Sequence, residues 1–248
     1  MKFKIPRQIC KVPTNPSLDN KIRVNQYETN LNKCGDDDDD KTESIYSSGN
    51  HIYFYDDISR KNILKLKKLI NEINNKFNKE LKNDDPVIKE SFWQRLFKRK
   101  EVTEECEEEE KQIILHIHSY GGEVPAGFNA MDMITYNEWP IVTIGEGMVA
   151  SAAVDMLVAG HGRYLQESTL VLIHQISGAI FGKSSEVNDG VYNWNLWDEL
   201  MYDAYTKRTN MTKEELIKLM SNEKAITAKE ALDFGIVDGI IGWNDEDE

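Results

Sequence analysis

The sequence predicts an α/β fold in which parallel strands are joined by helical crossovers. After Lys111, short apolar runs of β-type composition alternate with stretches of helical period, and such alternation implies parallel strands linked through helices. The length of 248 residues suits one substantial core and is too short for two full-sized domains with long linkers. A composition 40% hydrophobic and 29% charged, with negative mean hydropathy, fits a globular protein carrying polar extensions.

Residues 1–44 are polar and weakly periodic, ending in Gly35 and the run Asp36 to Asp40. Self-repulsion among these carboxylates opposes compaction, so a flexible N-terminal arm is expected. A calcium site is the functional alternative, but a continuous acidic run lacks the turn that spaces ligands around a cation. The main folded domain then spans 45–243, with an acidic tail at 244–248.

From Asn50 to Tyr55 the aromatic and β-branched residues predict a short strand. A helix follows, with Ser59 as N-cap and Ile63, Leu66, Ile70, Ile73 and Phe77 on one apolar face. Residues 79–111 read as a charged surface insertion. They hold the breaker Asn83-Asp84-Asp85-Pro86, an amphipathic patch of Phe92, Trp93, Leu96 and Phe97, and an acidic tract from Glu104 to Glu110.

A strand is expected over Ile113 to His118, a helix from about Ala126 to Tyr136, a strand over Ile141 to Ile144, and an apolar helix over Ser151 to Val158. Another strand, Leu170 to His174, precedes a long helix from Ser184 to about Thr209. Thr212 with Glu215, and Thr227 with Glu230, fit capping boxes on two closing helices, and Gly235 sits where a helix end favours a left-handed residue. Repeated strand-to-helix steps gather strand ends at one sheet edge, where ligands bind in folds of this class.

Composition excludes several functions. No window approaches the roughly 18 apolar residues of a membrane span. Met1 to Pro13 holds four basic residues without an apolar run behind them, which argues against a secretory signal and for the cytoplasm. Cys10, Cys34 and Cys106 fit neither a zinc site nor a disulfide framework. A net charge of −13 argues against nucleic acid as partner, and the basic stretch Arg95 to Lys100 is followed at once by acid.

Three segments could carry chemistry. Ser119-Tyr120-Gly121-Gly122 follows a strand and precedes a helix; paired glycines turn sharply and can aim N–H groups outward at a developing oxyanion. A structural turn is the plainer reading, and no P-loop lysine follows. In Gly145-Glu146-Gly147-Met148-Val149-Ala150-Ser151, a strand ends in a small-residue turn and places Ser151 at a helix start, where amide donors favour a nucleophile. An N-cap serine is the plainer reading there, and the Gly-x-Ser-x-Gly elbow is absent. His174 ends an apolar strand, and an imidazole titrates where proton transfer near neutrality needs it. His116 and His118 alternate on one strand and could form a metal pair, but no carboxylate or cysteine is suitably placed in sequence.

In this order the segments resemble the Clp protease proteolytic subunit, from about His51 to Ile240 with the insertion interrupting. Ser-Tyr-Gly-Gly at 119–122 stands where that family usually has Ser-Pro-Gly-Gly. Gly-Met-Val-Ala-Ser at 147–151, Ile-His-Gln at 173–175, and Thr227-Ala228-x-Glu230-Ala231 with Gly235 to Asp238 match as well. The resemblance implies a ClpP/crotonase-type spiral of repeated β-β-α units and a serine endopeptidase. Ser151 corresponds to the nucleophile, His174 to the base, and the N–H groups of Gly122 and Ala152 to the oxyanion hole. Glu223 occupies the position of the family's aspartate; glutamate can still orient an imidazole, and Asn222 is the fallback orienter.

By the same resemblance, an extended substrate would lie beside Glu123, Val124 and Gln175, held by backbone hydrogen bonds. Hydrolysis would pass through an acyl-enzyme without metal or organic cofactor. Two stacked heptameric rings, a tetradecamer joined by the helix around Val187 to Tyr205, would enclose the sites, and an AAA+ unfoldase would deliver unfolded polypeptides. Three other readings remain: an acyl-CoA enzyme of the crotonase type, a dedicated viral maturation protease, and a non-catalytic ring subunit.

Overall fold

A computed structural model describes residues 43–83 and 111–242, all within the unit Glu43–Glu248. The polar arm up to residue 42, the three cysteines, the aspartate run, the aromatic patch of the insertion and the acidic tail lie outside the described residues.

The core is a mixed sheet in the order β1 (Ile45–Ser48), β2 (His51–Phe54), β3 (Ile113–Ser119), β4 (Ile141–Ala150), β5 (Gly162–Gln166), β8 (Gly239–Ile241). β1 runs antiparallel to β2, and the rest of this path is parallel. Beside it, β6 (Leu170–Leu172) pairs with β4 in parallel and with β7 (Ile226–Thr227) in antiparallel. The alternating burial of β3 explains the pattern in its sequence. Ile113, Leu115 and Ile117 are buried, while Ile114, His116 and His118 stand on the half-open face.

Helices α1 (Arg60–Asn83), α2 (Val124–Thr135) and α3 (Ala152–Val158) complete this core. The stripe Ile63, Leu66, Ile70, Ile73 and Phe77 is buried as its spacing predicts, and the Ser59 hydroxyl accepts the Asn62 N–H at 3.4 Å as an N-cap does. α3 is buried over its whole length, so its sequence is apolar on every side save Asp155.

α4 (Ser184–Arg208) behaves differently: of its 25 residues only Met201, Tyr202 and Tyr205 are buried. α5 (Lys213–Met220) and α6 (Ala228–Asp233) carry both expected capping boxes, and Gly235 has the left-handed φ of +67° expected beyond α6.

Two expected strand ends need correction. β4 does not stop at Ile144 but runs on to Ala150, because two extra residues bulge out opposite β3: Ile117 pairs with Gly145, yet Ser119 pairs with Val149. Gly147, at φ +64°, makes the bend. The first half of β4 therefore pairs with β5 and the second with β6. β6 ends at Leu172, leaving His174 beyond the strand. β1, β5 and β7 lie outside the sequence expectations, being four, five and two residues long with polar or exposed positions.

The closing segment is tied back by Arg163 of β5. Its guanidinium donates to the carbonyls of Arg208 at 2.6 Å and Gly235 at 3.1 Å and forks onto the Asp238 carboxylate. A bidentate guanidinium serves all four acceptors at once, which accounts for the Gly235 to Asp238 motif as a structural one. The pair is partly buried, with side-chain exposures of 14% and 36%. Arg163→Met is expected to lower the unfolding free energy by about 2–4 kcal/mol in urea titration, and Arg163→Lys to recover only part of it.

Candidate active site

Strands β3, β4 and β6 end together, and their register decides what meets there. Ser119 is opposite Val149 and Ala150 opposite Leu172. Tyr120-Gly121, Ser151 and Ile173-His174 therefore emerge side by side from the carboxyl edge.

Ser151 is the N-cap of α3 at φ 54°, ψ −131°. A β-carbon in this region costs on the order of 1–3 kcal/mol and survives only where neighbours enforce it. Here its N–H donates to Leu172 O at 2.8 Å and its carbonyl accepts from Val154 N at 2.9 Å, so both sides of the residue are fixed.

The glycine pair is fixed as firmly. Ser119 Oγ accepts the Gly121 N–H at 3.1 Å. Ile58 N donates to Gly121 O at 2.8 Å, and Glu123 N donates to Ile58 O at 2.7 Å. In such a parallel bridge the N–H of the intervening residue points the other way, so that of Gly122 faces away from Ile58. Neither position admits a side chain: a Cβ on Gly121 would stand 2.5 Å from Ser151 Cβ, and one on Gly122 would stand 2.2 Å from Ile58 O.

Gly122, Ser151, Ala152 and His174 all line one cavity of about 60 Å³. The Ala152 N–H belongs to the first turn of α3, where helix amides have no intrahelical acceptor. His174 is half-buried, and its Nδ1 lies 2.6 Å from Gln175 O, which makes Nδ1 the protonated, donating nitrogen and leaves Nε2 as acceptor. Among the described residues no hydrogen bond joins His174 to Ser151.

Other expected site residues are placed as follows. Glu223 is exposed in the turn between α5 and β7, at a left-handed φ of 47°, and does not line the cavity. Asn222 donates its amide to Lys218 O at 2.9 Å. Gln175 and Val124 line the cavity. Val124 is already the first residue of α2, and Glu123 spends its N–H on Ile58 and its carbonyl on Ala126 and Gly127, so these two leave no free strand edge.

Asp155 was not singled out from the sequence, although a lone carboxylate in the run Ala152–Val158 was a signal. It is 4% exposed, lies one helical turn from Ser151 in the same cavity, and accepts the Tyr205 hydroxyl on Oδ1 at 2.9 Å. Burial pushes its carboxyl up to about 7 against the opposing pull of the Tyr205 bond. Gly127 of α2 makes room for it: a Cβ there would come within 2.5 Å of Oδ2.

On the opposite face His116 meets Glu146 Oε1 at 2.7 Å and His51 at 2.9 Å, while Tyr55 donates to Glu146. The carboxylate missing from the sequence reading is thus Glu146, delivered by the β4 bulge. Burial alone would raise it, but hydrogen bonds from His116 and Tyr55 bring it below the ordinary range. Among the described residues no three or more His, Cys, Asp or Glu side chains are arranged so that they could hold a metal ion.

A family model for Clp protease matches residues 87–244. The chain belongs to the Clp protease family. Among curated relatives, the ATP-dependent Clp protease proteolytic subunit 2 of Bifidobacterium longum (strain NCC 2705) is 34% identical over 138 residues, 55% of this chain and 67% of that protein. The subunit of the same name from Thermobifida fusca (strain YX) is 32% identical over 144 residues, covering 55% and 68%. The match contains every residue lining the cavity and begins within the stretch 79–111, leaving β2, Ile58 and α1 outside the Clp protease match. Among the described residues no helix is long and apolar enough to cross a membrane.

The raised carboxyl of Asp155 gives a pH dependence of stability. Below about pH 4 both folded and unfolded chains hold it protonated, and it costs nothing. Between pH 4 and about 7 the unfolded chain ionises first, so stability falls as pH rises, by up to roughly 4 kcal/mol at about 1.4 kcal/mol per pH unit. Above 7 the full cost is present. Asp155→Asn is expected to flatten this contribution, narrowing the difference between denaturation midpoints at pH 5 and pH 8.

Proposed function

We propose that this Clp-family chain is a cytoplasmic serine endopeptidase subunit that hydrolyses unfolded polypeptides through an acyl-enzyme. The observation that carries the reading is Ser151, held at positive φ on a helix N-terminus in the same cavity as His174 and Gly122. Strain of this kind is retained where it aims a nucleophile.

In this reading Ser151 Oγ attacks the scissile carbonyl while His174 Nε2 takes its proton, and the same imidazole then protonates the leaving amine. The Gly122 and Ala152 amides receive the oxyanion. Water then attacks the ester, with His174 again as base. Glu223 serves as orienter and stabilises the imidazolium once the Nδ1–H leaves the Gln175 carbonyl and turns to a carboxylate. That step requires the 221–225 turn and the segment after Ile173 to approach one another. Glu123, Val124 and Gln175 flank the substrate, the first two through their side chains.

Assembly into stacked heptameric rings, fed by an AAA+ unfoldase, supplies the setting for that approach. Val191, Tyr192, Leu196 and Leu200 are exposed on α4, and apolar side chains gathered on one helix suit burial against another subunit.

Fluorophosphonate labelling followed by intact mass tests the reading. Wild-type protein is expected to gain one adduct on Ser151, Ser151→Ala none, and His174→Ala to react about 10²–10⁴-fold more slowly. Glu223→Ala is expected to slow labelling at least tenfold, with Asn222→Ala unchanged. Absence of labelling together with tight binding of a CoA thioester would replace the peptidase by the crotonase-type reading.

A further inference from the structure

The cavity beside Ser151 combines a set of apolar side chains with a single carboxyl group. Val124, Phe128, Ile173 and Met201 supply the walls. Asp155 is the only carboxylate among the lining residues, and it sits with Tyr205 at the α3–α4 contact. Residues four apart lie on one face of a helix, so the Asp155 side chain follows Ser151 on the side of α3 that the cavity opens to.

We propose that Asp155, braced by Tyr205, forms the floor of the subsite for the side chain preceding the scissile bond and selects lysine there over aliphatic residues. This rests on Ser151 being the nucleophile.

Once ionised, above about pH 7, a carboxylate only 4% exposed is a costly group to keep unless something charged comes to meet it. Tyr205 satisfies only Oδ1; among the described residues no hydrogen bond engages Oδ2. Anchoring of the helix pair alone would be served by a neutral acceptor, without the buried charge. A lysine side chain matches what the cavity lacks. Its methylenes lie along apolar walls while its ammonium reaches the floor, and the charge-assisted hydrogen bond offsets the desolvation of both ions. Size agrees: about 60 Å³ holds roughly four to six water-sized groups at about 10–15 Å³ each, and a lysine side chain has about five non-hydrogen atoms.

The raised carboxyl adds a signature. The titratable groups facing the cavity are His174 from the segment after β6, Tyr205 from α4 and Asp155 itself. His174 governs the reaction of Ser151 with every substrate alike, and burial beside Asp155 holds the Tyr205 hydroxyl well above its ordinary range, out of play near neutrality. The ratio of lysine to leucine reactivity therefore reports Asp155 alone, and it rises as pH climbs through about 7.

The test uses two peptidyl diphenyl phosphonates differing only in a lysine or leucine side chain next to phosphorus. Ser151 Oγ displaces phenol from each, and the adduct is followed by mass. A lysine-to-leucine rate ratio of at least tenfold is expected at pH 8, falling several-fold at pH 6, with Asp155→Asn and Asp155→Leu bringing it to one or below. Because wild-type protein alone yields the pH series, a variant that fails to fold does not spare the proposal. A wild-type preference for leucine, or a ratio that ignores both pH and Asp155→Asn, overturns it. Fluorophosphonate in a parallel sample separates the two failures: generic labelling of Ser151 with no lysine preference removes only the subsite, whereas no labelling at all removes the nucleophile and the subsite with it.

Discussion

The site depends on one backbone constraint, the left-handed turn at Ser151. With its N–H on Leu172 and its carbonyl on Val154, the residue joins the end of β4 to the start of α3 without an intervening loop. That junction brings the hydroxyl and the first free amides of α3 to the same cavity. Its cost of about 1–3 kcal/mol is sustained by the β4–β6 ladder, and the wall behind it is backbone, since Gly121 packs where any side chain would strike Ser151 Cβ.

The parts of the proposed machinery differ in how firmly they are held. Ser151, Gly122 and Ala152 are set by strand ladders, the Ile58 bridge and a helix terminus, all formed within this chain. His174 and Glu223 lie instead in irregular segments, one beyond the end of β6 and the other in an exposed turn. A nucleophile and oxyanion site that are built in, with a base and orienter that depend on segments outside the sheet, is the arrangement expected if assembly governs activity. Asp155 belongs to the first group, being locked between Gly127 and Tyr205.

Much of this was legible in the sequence because it follows from local rules. The apolar stripe of α1, the alternation in β3 and both capping boxes are periodic or short-range signals, and each appears where its spacing puts it. Ser151 and His174 were visible as residue types at the ends of apolar runs. What stayed hidden is non-local. The two-residue bulge in β4 depends on how β3 and β6 share one long strand, and it alone brings Glu146 to His116. Arg163 gave no sign in sequence of four acceptors lying 45 to 75 positions away. Asp155 is a lone polar residue in an apolar helix, and the Tyr205 hydroxyl that engages it lies fifty positions on.

The most direct measurement is a crystal structure of the protein with a monophosphonate bound covalently. The predicted result is a phosphorus–Oγ bond at Ser151, with the phosphoryl oxygen accepting hydrogen bonds from the amides of both Gly122 and Ala152 and with Ser151 still at positive φ. An adduct on another residue, or a phosphoryl oxygen at Ser151 turned to solvent away from those two amides, would contradict it.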